Sequence, residues 1–273
     1  MKRMVYALTV ALGWAFLSSA DGYISLTAQD PGGGSTSFTT GARWSDGLYP
    51  HSDADYLVAL GAGTDKVFRT PEATTNSTFA GRSLTFGIVG GLAGWCNHKT
   101  VDGTVTYPDL RLANGRIADG QNGSAWMAGT FSVQAPETAP FRLTGSLGRT
   151  FTVIGLISGD AGTGLQISRT EGETDGSFWC RIWGTNTMYK GKWTIDGANI
   201  VGEFKSWALG DAPDTMMADA ITLKNSGLLV GYSGSVFAPT NRGVTVDSTG
   251  GILHGYSGQT WTLDMPVTGA GAV

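Results

Sequence analysis

The octapeptide Gly227-Leu228-Leu229-Val230-Gly231-Tyr232-Ser233-Gly234 returns almost unchanged as Gly251-Ile252-Leu253-His254-Gly255-Tyr256-Ser257-Gly258. A spacing of about 24 residues falls within the ~20–50 that marks stacked or radially arranged units. A unit of this length holds two or three short strands. It therefore reads as one coil of a β-solenoid, which buries its apolar side only against the coils above and below. At that spacing the chain after Leu84 makes about eight coils. A second match sets Leu143–Gly159 against Leu253–Gly269, with Leu143, Gly145, Gly148, Thr150 and Thr152 kept identically.

A short theme, apolar-Thr-apolar, runs through the same region. It occurs as Leu84-Thr85-Phe86, Val105-Thr106-Tyr107, Phe151-Thr152-Val153, Trp193-Thr194-Ile195, Ile221-Thr222-Leu223, Val244-Thr245-Val246 and Trp261-Thr262-Leu263. Period-two alternation turns one side of a strand to a core and the other to water, and threonine suits the outer position. Between these segments lie turn signals such as Ala113-Asn114-Gly115 and Ile195-Asp196-Gly197. Glycine supports the same reading, since 42 of 273 residues is roughly twice the ~7% of an average chain. Ala208–Ala220 is the one stretch with room for a helical turn. The expected fold class is all-β, a parallel β-helix.

The first twenty residues follow a different logic. Lys2 and Arg3 precede an apolar stretch from Met4 to Leu17, and Ser18-Ser19-Ala20 places small residues where a signal peptidase cuts. The stretch is shorter than the ~20 residues a spanning helix needs. Residues 1–20 are therefore expected to be a secretory signal, 21–83 a turn-rich capping region and 84–273 the coils. No second long apolar run follows, so no membrane span is expected in the mature chain. The expected location is outside the cell or at its surface, with the periplasm as the alternative. With 18 Lys+Arg against 22 Asp+Glu, the basic footprint of a nucleic-acid partner is missing.

The closing segment Gly250-Gly251-Ile252-Leu253, then Tyr256-Ser257-Gly258-Gln259-Thr260-Trp261-Thr262-Leu263 and Pro266-Val267-Thr268-Gly269-Ala270-Gly271-Ala272-Val273, resembles the autotransporter-associated β-strand repeat of large exported bacterial proteins. Arg43-Trp44-Ser45-Asp46-Gly47, Asp55-Tyr56-Leu57-Val58 and Phe79–Phe86 look like the opening of similar secreted solenoids. The resemblance implies a right-handed parallel β-helix exposed outside the cell as an adhesive or structural passenger. The chain departs from the family pattern by ending in mid-repeat at Gly271-Ala272-Val273, without the amphipathic strands of an outer-membrane barrel.

Candidate chemistry is sparse. Ser233 lacks the second glycine of a nucleophile elbow, because position 235 is Ser235, and its tetrapeptide recurs one coil later. His51, His98 and His254 lie far apart with no metal-ligand spacing. Acidic residues gather at Asp53 and Asp55, at Asp211, Asp214 and Asp219, and at Glu171, Glu173 and Asp175. The last group alternates as a calcium loop would, without EF-hand length. Cys96 and Cys180, each after a tryptophan, leave open a disulfide or two buried thiols. Trp193 and Trp261 occupy core positions of the strand theme. Trp44, Trp126, Trp183 and Trp207 are freer and are the candidates for a binding face.

The preferred expectation is an exported solenoid with an adhesive or structural role, meeting surface glycans or other proteins and needing no cofactor, with calcium left open. The alternatives are a carbohydrate-active β-helix enzyme, a lyase or hydrolase with carboxylates on neighbouring coils, and a carbohydrate-binding β-sandwich.

Overall fold

A computed structural model describes residues 22–31, 36–61, 67–120, 123–146, 148–172, 176–186, 188–205, 207–232, 234, 236–237, 241–255 and 260–273. The expected signal peptide lies outside these residues, as do Ser233, Glu173 and Asp175.

Every paired strand among the described residues runs parallel to its neighbour, and the strands stack as a β-solenoid of about seven turns. Parallel ladders rule out the β-sandwich, whose strands pair antiparallel. A complete turn has three strand segments, as in Arg149–Val153, Leu156–Gly159 and Gly164–Arg169. The first two segments belong to one 13-stranded sheet and the third to a 9-stranded sheet. In Thr104–Leu112 and Ser124–Val133 the first two segments are fused into one strand, with a register shift between Tyr107 and Leu110.

The sequence repeat is one turn. Gly227–Gly231 pairs with Gly251–Gly255 in register, Gly231 against Gly255. Other turns differ in length: the step from Val105 to its partner Met127 is shorter, and the step from Val153 to Ile182 is longer. About seven turns are stacked where a constant spacing suggested about eight. The second sequence match is not a structural one. Leu143 stands on the third face, where its column runs through Ile167, Ile195, Leu223 and Val246 to Gly269. Leu253 stands on the first face against Leu229. The shared letters reflect what any strand-turn-strand segment needs.

The apolar-Thr-apolar theme does what alternation requires. Trp193, Ile195, Ile221, Leu223, Val244 and Val246 point inward and are fully buried, while Thr194, Thr222 and Thr245 line the outside in one column. The ladder continues unbroken below Leu84. Tyr23–Ser25 pairs with Asp55–Val58, which pairs with Ser83–Phe86, so residues 21–83 already contribute coil. The capping part is an aromatic plug: Trp44 packs 4.7 Å from the Tyr56 ring and near Phe68 and Phe79, which Phe38 also meets. No α-helix occurs among the described residues. Ala208 and Leu209 enter the core, and Met217–Lys224 is a strand.

Glycine sets one corner of the coil. Gly129, at φ 112°, Gly155 and Gly184 stack on successive turns where the first face bends into the second. A Cβ on Gly155 would lie 2.3 Å from the Gly129 carbonyl oxygen, and one on Gly184 only 1.9 Å from that of Gly155. Backbones that approach so closely leave room for no side chain.

Both cysteines are buried and free. Four layers separate the turn that holds Cys96 from the turn that holds Cys180. At the strand spacing of a sheet that is roughly 19 Å, far beyond the reach of a disulfide. The open alternative resolves as two core thiols.

Candidate functional site

The outer side of the first face carries the most organised group of side chains. Trp126, Thr152, Arg181, Glu203 and Val230 follow one another up this column on consecutive turns. At the corner just beyond, Trp183, Lys205 and Tyr232 succeed one another, and each backbone N–H donates to the turn below. Because the coil stacks layer on layer, these residues form a ladder although they are far apart in sequence.

Their rings make a continuous row. Trp126 and Trp183 have centroids 5.8 Å apart, and Trp183 and Tyr232 5.4 Å apart, both edge-to-face. The Lys205 ammonium sits 4.6 Å from the Trp183 ring and 5.2 Å from the Tyr232 ring. The Arg181 guanidinium lies 5.2 Å from Trp183 and 5.9 Å from Trp179. Such cation–π contacts hold both partners in place.

Glu203 anchors the row. Its side chain is fully buried although it points away from the solenoid interior. One carboxylate oxygen accepts from the Trp183 indole N–H at 2.9 Å and the other from Arg181 Nε at 3.1 Å. A buried carboxylate is tolerated only when paired and hydrogen-bonded. Those two bonds fix the plane of the Trp183 ring. Trp126, Trp183 and Arg181 are half-buried and Tyr232 is exposed. The solvent side here is therefore a row of ring edges and faces with two cations beside it.

Of the four tryptophans singled out from sequence, the structure joins Trp126 and Trp183 in this row. Trp207 is exposed at 53%, and its carbonyl accepts from Asn186 N–H. Trp44 is a correction: it is 3% exposed, and its indole N–H donates to the Ser37 carbonyl at 2.8 Å. The end of the solenoid needs an apolar plug, and Trp44 is part of it. Arg181, Glu203, Lys205 and Tyr232 escaped sequence reasoning, because turns of unequal length hide which residues share a column.

The acidic groups among the described residues do not converge on a catalytic pair. Asp55 bonds Ser83 and Arg82, whose guanidinium holds the carboxyl down at about 2. Asp53 pairs with His51, which lowers its carboxyl. Asp214 pairs with Lys190 at 3.0 Å. Glu137 and Asp219 approach one another, but Lys192 lies between them at 2.7 and 2.8 Å. A general acid needs a raised carboxyl; Asp53, Asp55 and Asp247 all move the other way. Glu171 is exposed, with Arg116 3.9 Å away. No group of three metal-ligating side chains occurs among the described residues. His98 is buried in the interior, where loss of water pushes its imidazole down to about 4. His254 is exposed.

Comparison with protein families, curated proteins and solved structures finds no match.

Proposed function

We propose that this protein is an exported β-solenoid that works by adhesion, holding glycans against the aromatic row of its first face. One observation carries the reading: Glu203 and Arg181 lock the Trp183 ring in a row of three aromatic residues with cations alongside. Rigid aromatic rings offer large contact area at little entropic cost, and tryptophan, tyrosine and arginine dominate binding hot spots. The faces of such rings suit the C–H faces of sugar rings, while Arg181 and Lys205 suit hydroxyl or carboxylate substituents. The export half of the reading is supported by the pattern of Lys2, Arg3, the apolar 4–17 stretch and Ser18-Ser19-Ala20, together with the family resemblance of the closing repeat.

The test is a glycan panel presented to the purified protein and to Trp183→Ala. Selective retention by the wild type, lost in the variant, supports the reading; equal retention by both overturns it. Expression of the complete chain in a Gram-negative host, with N-terminal sequencing of the product, tests export separately. A new N-terminus at Asp21 is expected, and an intact Met1 in the cytosol would contradict it.

A further inference from the structure

Near the N-terminal end, on the outer side of the second face, lies a cleft of about 330 Å³ that the adhesive reading does not use. It is lined by Tyr23, Leu57, Thr85, Gly87, Ile88, Val89, Ala113 and Gln134. None of these carries a charge, and the volume falls at the lower end of the ~300–1,000 Å³ of small-molecule sites.

Two features mark the cleft as built. The first is its outer wall. The 87–92 turn holds Ile88, Val89 and Leu92 out to solvent, with exposures of 37%, 52% and 44%. The turn is pinned in that position. Gly87 N–H donates to the Val58 carbonyl, Ile88 N–H to Leu92, Gly91 N–H to Ile88, and the Asn114 side-chain amide to the Gly91 carbonyl, all within 2.8–2.9 Å. Apolar side chains held rigidly in water are a cost that a ligand can relieve. The opposite wall is fixed as well, since Arg111 donates to the Tyr23 hydroxyl at 3.0 Å.

The second feature is at the floor. Thr85 is 6% exposed, and its hydroxyl has no hydrogen-bond partner. Ser83, two residues earlier on the same strand, satisfies its own hydroxyl on Asp55. A buried, unpaired hydroxyl costs free energy that one complementary group would recover.

We propose that this cleft binds a small neutral amphipathic molecule, its apolar body against Leu57, Ala113, Ile88 and Val89 and a single hydroxyl on Thr85. The lining side chains themselves are uncharged and mostly apolar, which favours a neutral ligand beside the Arg111 guanidinium that holds Tyr23, and the unpaired group at the floor asks for one polar atom.

The probes are 2-naphthol and naphthalene, titrated by fluorescence into the full-chain protein at neutral pH. Saturable binding is expected for both, with 2-naphthol about tenfold tighter, as one recovered hydrogen bond gives. Thr85→Val is expected to erase that advantage and leave naphthalene unchanged. Val89→Ser is expected to weaken both probes, and it decides the matter should Thr85→Val fail to fold. No saturable binding, equal affinity of the wild type for both probes, an advantage that survives Thr85→Val, or binding unmoved by Val89→Ser would each overturn the proposal.

Discussion

Glu203 accepts a hydrogen bond from the indole of Trp183, which lies well before it in sequence and one turn below it in space. A carboxylate on the outside of a solenoid would ordinarily be hydrated. Here the ring it orients also shields it, so charge and aromatic ring depend on each other. Glu203→Gln keeps shape and one acceptor but removes the charge that Arg181 answers. It is expected to loosen the ring, read as a red shift and lower anisotropy of tryptophan fluorescence, with stability lower by about 1–3 kcal/mol.

Arg242 is buried without a carboxylate partner. Its guanidinium donates to the carbonyls of Tyr189, Asp211 and Gly191, tying together the corners of neighbouring turns. Burial lowers it to about 10, so it stays charged at neutral pH. Arg242→Ala removes all three of these hydrogen bonds and is expected to cost about 3 kcal/mol or more in urea unfolding. Arg242→Lys should not restore the loss, because one ammonium cannot reproduce the planar fork.

His98 makes stability depend on pH. Its folded value of about 4 lies below the ordinary 6.5 because burial disfavours the cation. Between these values the unfolded chain binds a proton that the folded chain does not. Stability is therefore full above pH ~6.5 and falls as the pH drops toward ~4. The expected loss from this group is about 2–3 kcal/mol at the lower end. Denaturant midpoints should fall across that window in the wild type and fall less in His98→Gln. Asp55, held at about 2, loses its contribution only at still lower pH.

The glycine corner is sensitive to a single methyl group. Gly184→Ala would place a Cβ 1.9 Å from the Gly155 carbonyl oxygen. It is expected to destabilise by more than about 3 kcal/mol or to prevent folding. Gly162→Ala meets nothing within 4 Å and should leave the melting temperature within a degree or two.

The layering also forbids a disulfide. Mass spectrometry under non-reducing conditions should find Cys96 and Cys180 as free thiols, unlabelled by iodoacetamide in the native state and both labelled in denaturant. Burial pushes each thiol up, away from the reactive thiolate. A Cys96–Cys180 crosslink would contradict the stacking order.

The direction of the fold was legible where the sequence repeats with little drift. Gly231 over Gly255 is both a sequence match and a ladder pair, and Thr222 over Thr245 follows the strand theme. Elsewhere the same logic misled. Leu143 and Leu253 share flanking letters yet stand on different faces, because any strand closed by a glycine turn draws on the same few residues. Trp44 has a polar neighbourhood in sequence, and only the need to plug the first turn explains its burial. The site was half-readable. Trp126 and Trp183 are conspicuous as tryptophans. Their alignment with Arg181 and Glu203 depends on unequal steps, from Trp126 to Thr152, Thr152 to Arg181 and Arg181 to Glu203, which no fixed period contains.

The most direct test of the adhesive account is calorimetric titration of the best glycan from a panel into wild type and into the double variant Trp183→Ala/Tyr232→Ala. The account predicts saturable binding by the wild type and at least a hundredfold weaker binding by the variant, with the variant's far-ultraviolet circular dichroism unchanged. Undiminished affinity in the variant, or no glycan bound by the wild type, would contradict it.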